Sequence, residues 1–173
     1  MRVRAVVRPE EPQIAELWCR SWASANPHVT SLEPPGHWLA RVRSEFSNPS
    51  EVVVVETMGE IGAFIVFNVA KAYVAQLFTE PSLQGQGLGR ALLGEANRRM
   101  PQGWSLHVAT TNHRAHLFYE RLGLVRGEID SNSVTGRKRV AYSWQAPNPL
   151  IVADTQQQVA ASRRLMRAGH FQR

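Results

Sequence analysis

The chain has 173 residues, 43% of them hydrophobic, which suits one compact domain with a proper core and a short appendage. Its net charge of +6 arises from 18 arginines and 2 lysines against 14 acidic residues, a balance that attracts cofactor phosphates, nucleic acid or acidic protein surfaces. A single cysteine excludes disulfide and Cys-rich zinc frameworks, and no run approaches the roughly 18 apolar residues of a membrane helix, so a cytoplasmic protein without a membrane partner is expected.

Residues 2 to 8 alternate charged and apolar side chains as a strand does, and they lack the apolar core of a signal peptide. Pro9, Glu10, Glu11 and Pro12 then read as a helix start before the apolar face Ile14, Leu17, Trp18, Ser21 and Trp22, in which Cys19 is a buried structural thiol. Asn26 to Gly36 is a proline-broken loop. Trp38, Leu39, Val42 and Phe46 recur at helical spacing and predict a second short helix ending near Asn48 and Pro49. Residues 51 to 56 and 61 to 69 flank a hairpin turn at Met58-Gly59-Glu60, and a third strand follows over 72 to 79, which together suggest an antiparallel meander.

Beyond a glycine-rich stretch, the pattern predicts a helix over 88 to 100, a strand over 104 to 109 and a helix from about 112 to 121 closed by Leu122 and Gly123. Residues 124 to 129 and 140 to 144 read as a final strand pair around a polar loop. Pro147 and Pro149 mark a boundary, so the expected units are a domain over 1 to 146 and a basic, partly helical extension over 147 to 173. Arg163, Arg164, Arg167 and Arg173 against Asp154 give that extension +3 of the total charge. Motifs that interleave base-stacking aromatics with basic residues are absent, so nucleic acid is a minority reading.

The most informative stretch is Gln84-Gly85-Gln86-Gly87-Leu88-Gly89-Arg90, which lies between an apolar strand pattern and an amphipathic helix pattern. The first N–H groups of a helix have no intrahelical partner and sit at the positive end of its dipole, so phosphate is their natural guest. Glycines let the loop adopt unusual φ/ψ and let a ligand approach the main chain, and Arg90 adds a charge-assisted contact. A P-loop requires a Gly-Lys pair, and the chain has none. The Rossmann fingerprint requires a third glycine where Arg90 stands and an acid at the end of the next strand, yet residues 106 to 111 hold no carboxylate.

Two motifs in order narrow the choice. The first is Leu77-Phe78-Thr79-Glu80-Pro81 followed, two residues on, by the glycine loop; the second is Asn112-x-x-Ala115-x-x-Phe118-Tyr119-Glu120-x-x-Gly123. With them the chain resembles the GNAT superfamily of acyl-CoA-dependent N-acetyltransferases over residues 2 to 145. The resemblance implies a mixed α/β fold: a mostly antiparallel sheet of six to seven strands flanked by about four helices. It implies acetyl-CoA as co-substrate, its pyrophosphate on Gln84, Gly85, Gln86, Gly87, Leu88, Gly89 and Arg90. Its pantetheine arm would pair like an added strand with Leu77, Phe78 and Thr79 where the fourth and fifth strands splay apart. Asn112, Ala115 and Phe118 would complete the coenzyme site, although Asn112 also suits a plain helix cap.

Acetyl transfer to an amine needs a neutral nucleophile, oxyanion stabilisation and a proton for the leaving thiolate. The resemblance assigns the proton donor to Tyr119, a phenol that keeps its proton at neutral pH. Some relatives carry a glutamate base on the fourth strand, but Tyr73, Val74, Ala75 and Gln76 contain no carboxylate. His107 is the substitute, with a water as the alternative base: His107 lies twelve residues before Tyr119, where the similar ribosomal-protein alanine acetyltransferases carry a glutamate, and imidazole titrates near neutrality. His28, His37 and Glu33, in or beside the 26 to 36 loop, are candidates for acceptor contact. No spacing among these, His113, His116 and His170 suggests a metal site. The expected activity is transfer from acetyl-CoA to a primary amine of a small molecule or a protein N-terminus, by a monomer or homodimer. A non-catalytic acyl-CoA-binding or docking module is the alternative.

Overall fold

The computed structural model describes residues 1–27, 29, 33–34, 36–47 and 49–146. Seven strands form one sheet: β1 (Arg2–Ala5), β2 (Glu51–Thr57), β3 (Glu60–Asn68), β4 (Tyr73–Thr79), β5 (Trp104–Ala109), β6 (Val125–Ser131) and β7 (Lys138–Trp144). Among the described residues, four helices flank it: α1 (Glu11–Ala25), α2 (His37–Glu45), α3 (Leu88–Arg99) and α4 (His113–Arg121). The mixed α/β architecture and the helix count agree with expectation. The 147 to 173 extension with its expected helix, together with His28, Asn48 and His170, lies outside the described residues.

The first strand stops at Ala5 rather than at residue 8, because Pro9 and Glu10 turn the chain back through a 3-10 turn over Arg8–Glu10. The Glu10 carboxylate accepts hydrogen bonds from Val7 N at 3.0 Å and from both terminal guanidinium nitrogens of Arg4, at 2.9 and 2.5 Å. Arg4 also donates to Glu56 on β2 at 2.8 Å. The turn is thereby tied to the strand that β1 pairs with, and α1 begins at Glu11.

The strand order is β1-β2-β3-β4-β5-β7-β6, and every neighbouring pair is antiparallel except β4 and β5. The last two strands do pair, as the sequence suggests, but β7 is inserted between β5 and β6 and leaves β6 at the edge. Both faces of the sheet centre are covered, which is why Val53 to Val55 and Ala63 to Phe67 are continuous apolar runs rather than alternating ones. On one face, Val53, Val55, Ile65, Phe67, Leu106, Val108 and Val140 pack with Leu88, Leu92 and Ala96 of α3 and Tyr119 of α4. On the other, Val54, Phe64 and Val66 pack with Ile14, Leu17 and Trp18 of α1 and Val42 of α2. Trp18 is 1% exposed and touches Trp38, Phe46, Phe64 and Phe78 at centroid distances of 5.2, 5.1, 6.0 and 5.8 Å, so one indole joins α1, α2 and the sheet. Cys19, on the same helix, is half-buried rather than buried.

Candidate active site

The site is built around the single parallel pair in the sheet. β4 and β5 meet in register only at Tyr73 and Ser105, where Ser105 N donates to Ala72 O at 2.9 Å, and beyond that point they part. A β-bulge contributes to the divergence: Val66 opposes Gln76 and Phe67 opposes Val74, so Ala75 is an extra residue that bends β4. Because Glu80 N donates to Gly62 O, strand alternation turns the main chain of Leu77 and Thr79 toward the opening and that of Phe78 toward β3. By the same rule, the Ser105 contact turns the main chain of His107 and Ala109 toward the opening from β5. Of the three residues singled out on β4, Leu77 and Thr79 therefore face the cleft, while Phe78 directs its ring into the α1/α2 layer against Trp18 and Phe64.

The glycine loop joins β4 to α3 and its three glycines serve two purposes. Gly85 and Gly87 have φ of 83° and 87°, a left-handed backbone that side chains disfavour. Gly89 has an ordinary φ, but a Cβ there would lie 3.1 Å from Cζ of Phe118, so this glycine lets α4 pack on the start of α3. The two sequence motifs thus touch. Gly87 is the N-cap of α3, and Ala91 N donates to its carbonyl at 3.0 Å. Among the described residues, the N–H groups of Gly85, Gly87, Leu88, Gly89 and Arg90 have no protein acceptor. Gln84 donates from Nε2 to Thr79 O at 3.3 Å, whereas its buried Oε1 has no donor. An orphaned buried acceptor next to a row of free amides is the form of a site awaiting a polar guest.

Asn112 caps α4, its Oδ1 accepting from Ala115 N at 3.1 Å, and Ala115 packs against the core. Tyr119 points from α4 into that core, 7% exposed, between Phe118 and Tyr142 at centroid distances of 5.1 and 5.8 Å. Burial alone pushes its phenol pKa well above the ordinary value, so the hydroxyl stays protonated.

His107 lies on the opposite face of the sheet, since Leu106 and Val108 on either side of it point into the α3/α4 core. Its Nδ1 is 3.1 Å from the hydroxyl of Tyr73, at the point where β4 and β5 begin to separate. Its Nε2 is 3.5 Å from Oδ2 of Asp130 on β6. Asp130 is in turn held by Arg139, whose Nε and Nη2 donate to its two oxygens at 2.6 and 3.1 Å. Burial lowers the His107 pKa, the Arg139 charge lowers it further, and Asp130 opposes both. Tyr73 is raised, chiefly by burial, and remains a proton carrier. Tyr73, Asp130 and Arg139 were not singled out from the sequence. The available signal was Tyr73 at the foot of the fourth strand, whereas Asp130 meets His107 only through the β5-β7-β6 order.

The remaining candidates fall elsewhere. His37 and Glu33 approach each other at 3.5 Å in a loop of which residues 28, 30–32 and 35 lie outside the described residues. His116 is buried and bridges Ala109 O at 3.1 Å and the Tyr142 hydroxyl at 2.9 Å, a structural link between β5, α4 and β7. Among the described residues, no cluster of three or more His, Cys, Asp or Glu side chains is arranged to hold a metal, and no helix is long and apolar enough to cross a membrane.

A family model described as acetyltransferase (GNAT) family matches residues 12–124. The chain is 27% identical over 124 residues to the peptidyl-lysine N-acetyltransferase YiaC of Escherichia coli (strain K12), an alignment spanning 70% of this chain and 81% of that one. Its fold is similar to the ribosomal-protein-S18-alanine N-acetyltransferase of Escherichia coli, with a TM-score of 0.65 at 20% identity over 85% of this chain and 94% of that one. It is also similar to the PaiA N-acetyltransferase of Thermoplasma acidophilum, solved with coenzyme A, with a TM-score of 0.62 at 15% identity over 83% and 98% of the two chains. By its matched residues and its fold, the chain belongs to the GNAT acetyltransferase family and is an acetyl-CoA-dependent N-acetyltransferase.

Proposed function

We propose that the chain acetylates a primary amine by direct attack on acetyl-CoA, with His107 as base, acting through Tyr73, and Tyr119 as acid. The observation that carries this reading is the Tyr73–His107 hydrogen bond at the foot of the β4/β5 opening, with Tyr119 on the other side of the sheet. The cleft amides of Leu77 and Thr79 would pair with the pantetheine arm, and the free N–H groups from Gly85 to Arg90 would hold the pyrophosphate. Phe78 contributes through packing rather than through its main chain.

Acetyl-CoA supplies the thioester carbonyl; the protein's part is to move protons on either side of it. As the amine nitrogen bonds to that carbon, Tyr73 takes the amine proton and passes its own to Nδ1 of His107. As the carbon–sulfur bond breaks, Tyr119 gives its proton to the departing thiolate. Desolvation suits both roles: it keeps His107 neutral and ready to accept, and it keeps Tyr119 protonated and ready to donate. The relatives named for peptidyl-lysine and for ribosomal-protein alanine support a peptide or protein amine as acceptor.

Coenzyme A release is measured with peptides bearing a free N-terminus, peptides with an internal lysine, and small polyamines. With an accepted amine, Tyr119→Phe is expected to lower kcat by about 100-fold, within the usual range for a positioned acid, while leaving acetyl-CoA affinity nearly unchanged. His107→Ala is expected to remove the acid limb of the kcat/KM profile. Equal turnover in the first variant, or an unchanged profile in the second, removes that residue from its role.

A further inference from the structure

We infer that Asp130, on the edge strand β6, is a positioning residue that fixes the His107 imidazole in the tautomer whose lone pair faces Tyr73. This rests on the reading of His107 as the base.

The contact spans two strands and depends on what lies between them. His107 stands opposite Ala141 on β7, whose side chain is a single methyl. On the far side, β6 bulges between Arg126 and Ile129, the ladder resumes with Ile129 opposite Val140, and Asp130 follows opposite Arg139. From there the carboxylate reaches over Ala141 to within 3.5 Å of Nε2 of His107. The two-pronged grip of Arg139, at 2.6 and 3.1 Å, fixes the plane of that carboxylate, so its Oδ2 is presented to the ring in one orientation.

Proton counting then selects the tautomer. A neutral imidazole has one N–H and one lone pair. The Tyr73 hydroxyl, 3.1 Å from Nδ1, has one proton to donate, and the Asp130 carboxylate, near Nε2, only accepts. Nε2–H toward Asp130 with the lone pair on Nδ1 gives each partner what it lacks. The reverse tautomer lets Nδ1–H donate to the phenol oxygen but sets a lone pair on Nε2 against the carboxylate, so it is Asp130 that decides between the two. With Nδ1 as the basic atom, the amine N–H bond breaks as a Tyr73 O–H bond forms, and the original Tyr73 proton ends on Nδ1. The imidazolium so formed faces Asp130. The charged and titratable groups around the ring are Tyr73 from β4, Asp130 from β6 and Arg139 from β7.

Asp130→Asn tests the assignment. Asp130 is half exposed, so the substitution leaves the core untouched. Arg139 holds the amide oxygen, which turns the amide N–H₂ toward Nε2 and favours the reverse tautomer. Long-range ¹⁵N spectra of histidine-labelled protein, assigned with His107→Gln, are expected to show the ring proton moved from Nε2 to Nδ1. The acid limb of kcat/KM is expected to move to lower pH, because the group that raises the His107 pKa is gone. We expect kcat to fall about 100-fold with KM for acetyl-CoA unchanged, the low end of what a positioned general base contributes. Wild-type ring signals in Asp130→Asn overturn the inference, whatever His107→Ala does to turnover. A tautomer change with an unmoved acid limb also overturns it, whereas loss of the base reading itself is seen separately in His107→Ala.

Discussion

The glycine loop carries two different demands in neighbouring residues. Gly87 adopts φ of 87° with nothing within 4 Å of where a Cβ would stand, so its requirement is purely conformational. Gly89 has the opposite requirement, with Phe118 only 3.1 Å away. Gly87→Ala is therefore expected to cost about 1–2 kcal/mol of stability, the penalty for a left-handed residue with a side chain, as measured by urea unfolding. Its acetyl-CoA affinity should fall by about tenfold, since roughly 1.4 kcal/mol of misaligned amides corresponds to that factor. Unchanged affinity in a folded Gly87→Ala protein would mean that the loop amides do not hold the coenzyme. At this scale the sequence revealed what is contiguous, namely the loop, Asn112 and Tyr119. It did not reveal Tyr73 and Asp130 as partners of His107, because their meeting depends on which strands are neighbours and on an alanine between them.

Turns and strand ends decide the geometry at the next scale up. The β2–β3 hairpin closes through Met58 and Gly59, with φ of 52° and 82°, and pairs Thr57 with Glu60 across a two-residue loop. That loop favours Asn followed by Gly, and Met58 is 92% exposed, so its side chain contributes no packing. Met58→Asn is expected to raise stability by about 0.5–1 kcal/mol, the scale of a relieved left-handed residue, with no change in turnover. An unfolding midpoint that stays put or drops would contradict this reading of the turn. The hairpin and the meander were legible from alternation and turn residues. The short first strand was not, because the turn over Arg8–Glu10 that ends it is held by Arg4, which grips Glu10 and also Glu56, a residue far away in sequence. The β4 bulge at Ala75 was equally hidden, since an apolar run looks the same with or without an extra residue.

Across the whole molecule, two helical layers cover one sheet, and the gap between β4 and β5 is the place where the sheet itself opens. His107 faces the α1/α2 layer and Tyr119 the α3/α4 layer, so a group lodged in the gap would have the proposed base and the proposed acid on opposite sides. Trp18 and its four aromatic neighbours keep the first layer fixed on the sheet while the cleft stays unpaired. The positive charge of the chain, +6, suits a phosphate-bearing co-substrate. The general architecture was readable from the order of periodic segments, whereas the insertion of β7 beside β5 was not, because antiparallel neighbours leave no mark on sequence order. The claim that the open seam and its loop form the coenzyme site is tested most directly by isothermal titration of acetyl-CoA. Binding at micromolar concentration that is weakened about tenfold in Gly87→Ala is the expected result; no binding of the wild-type protein below millimolar concentration would contradict it.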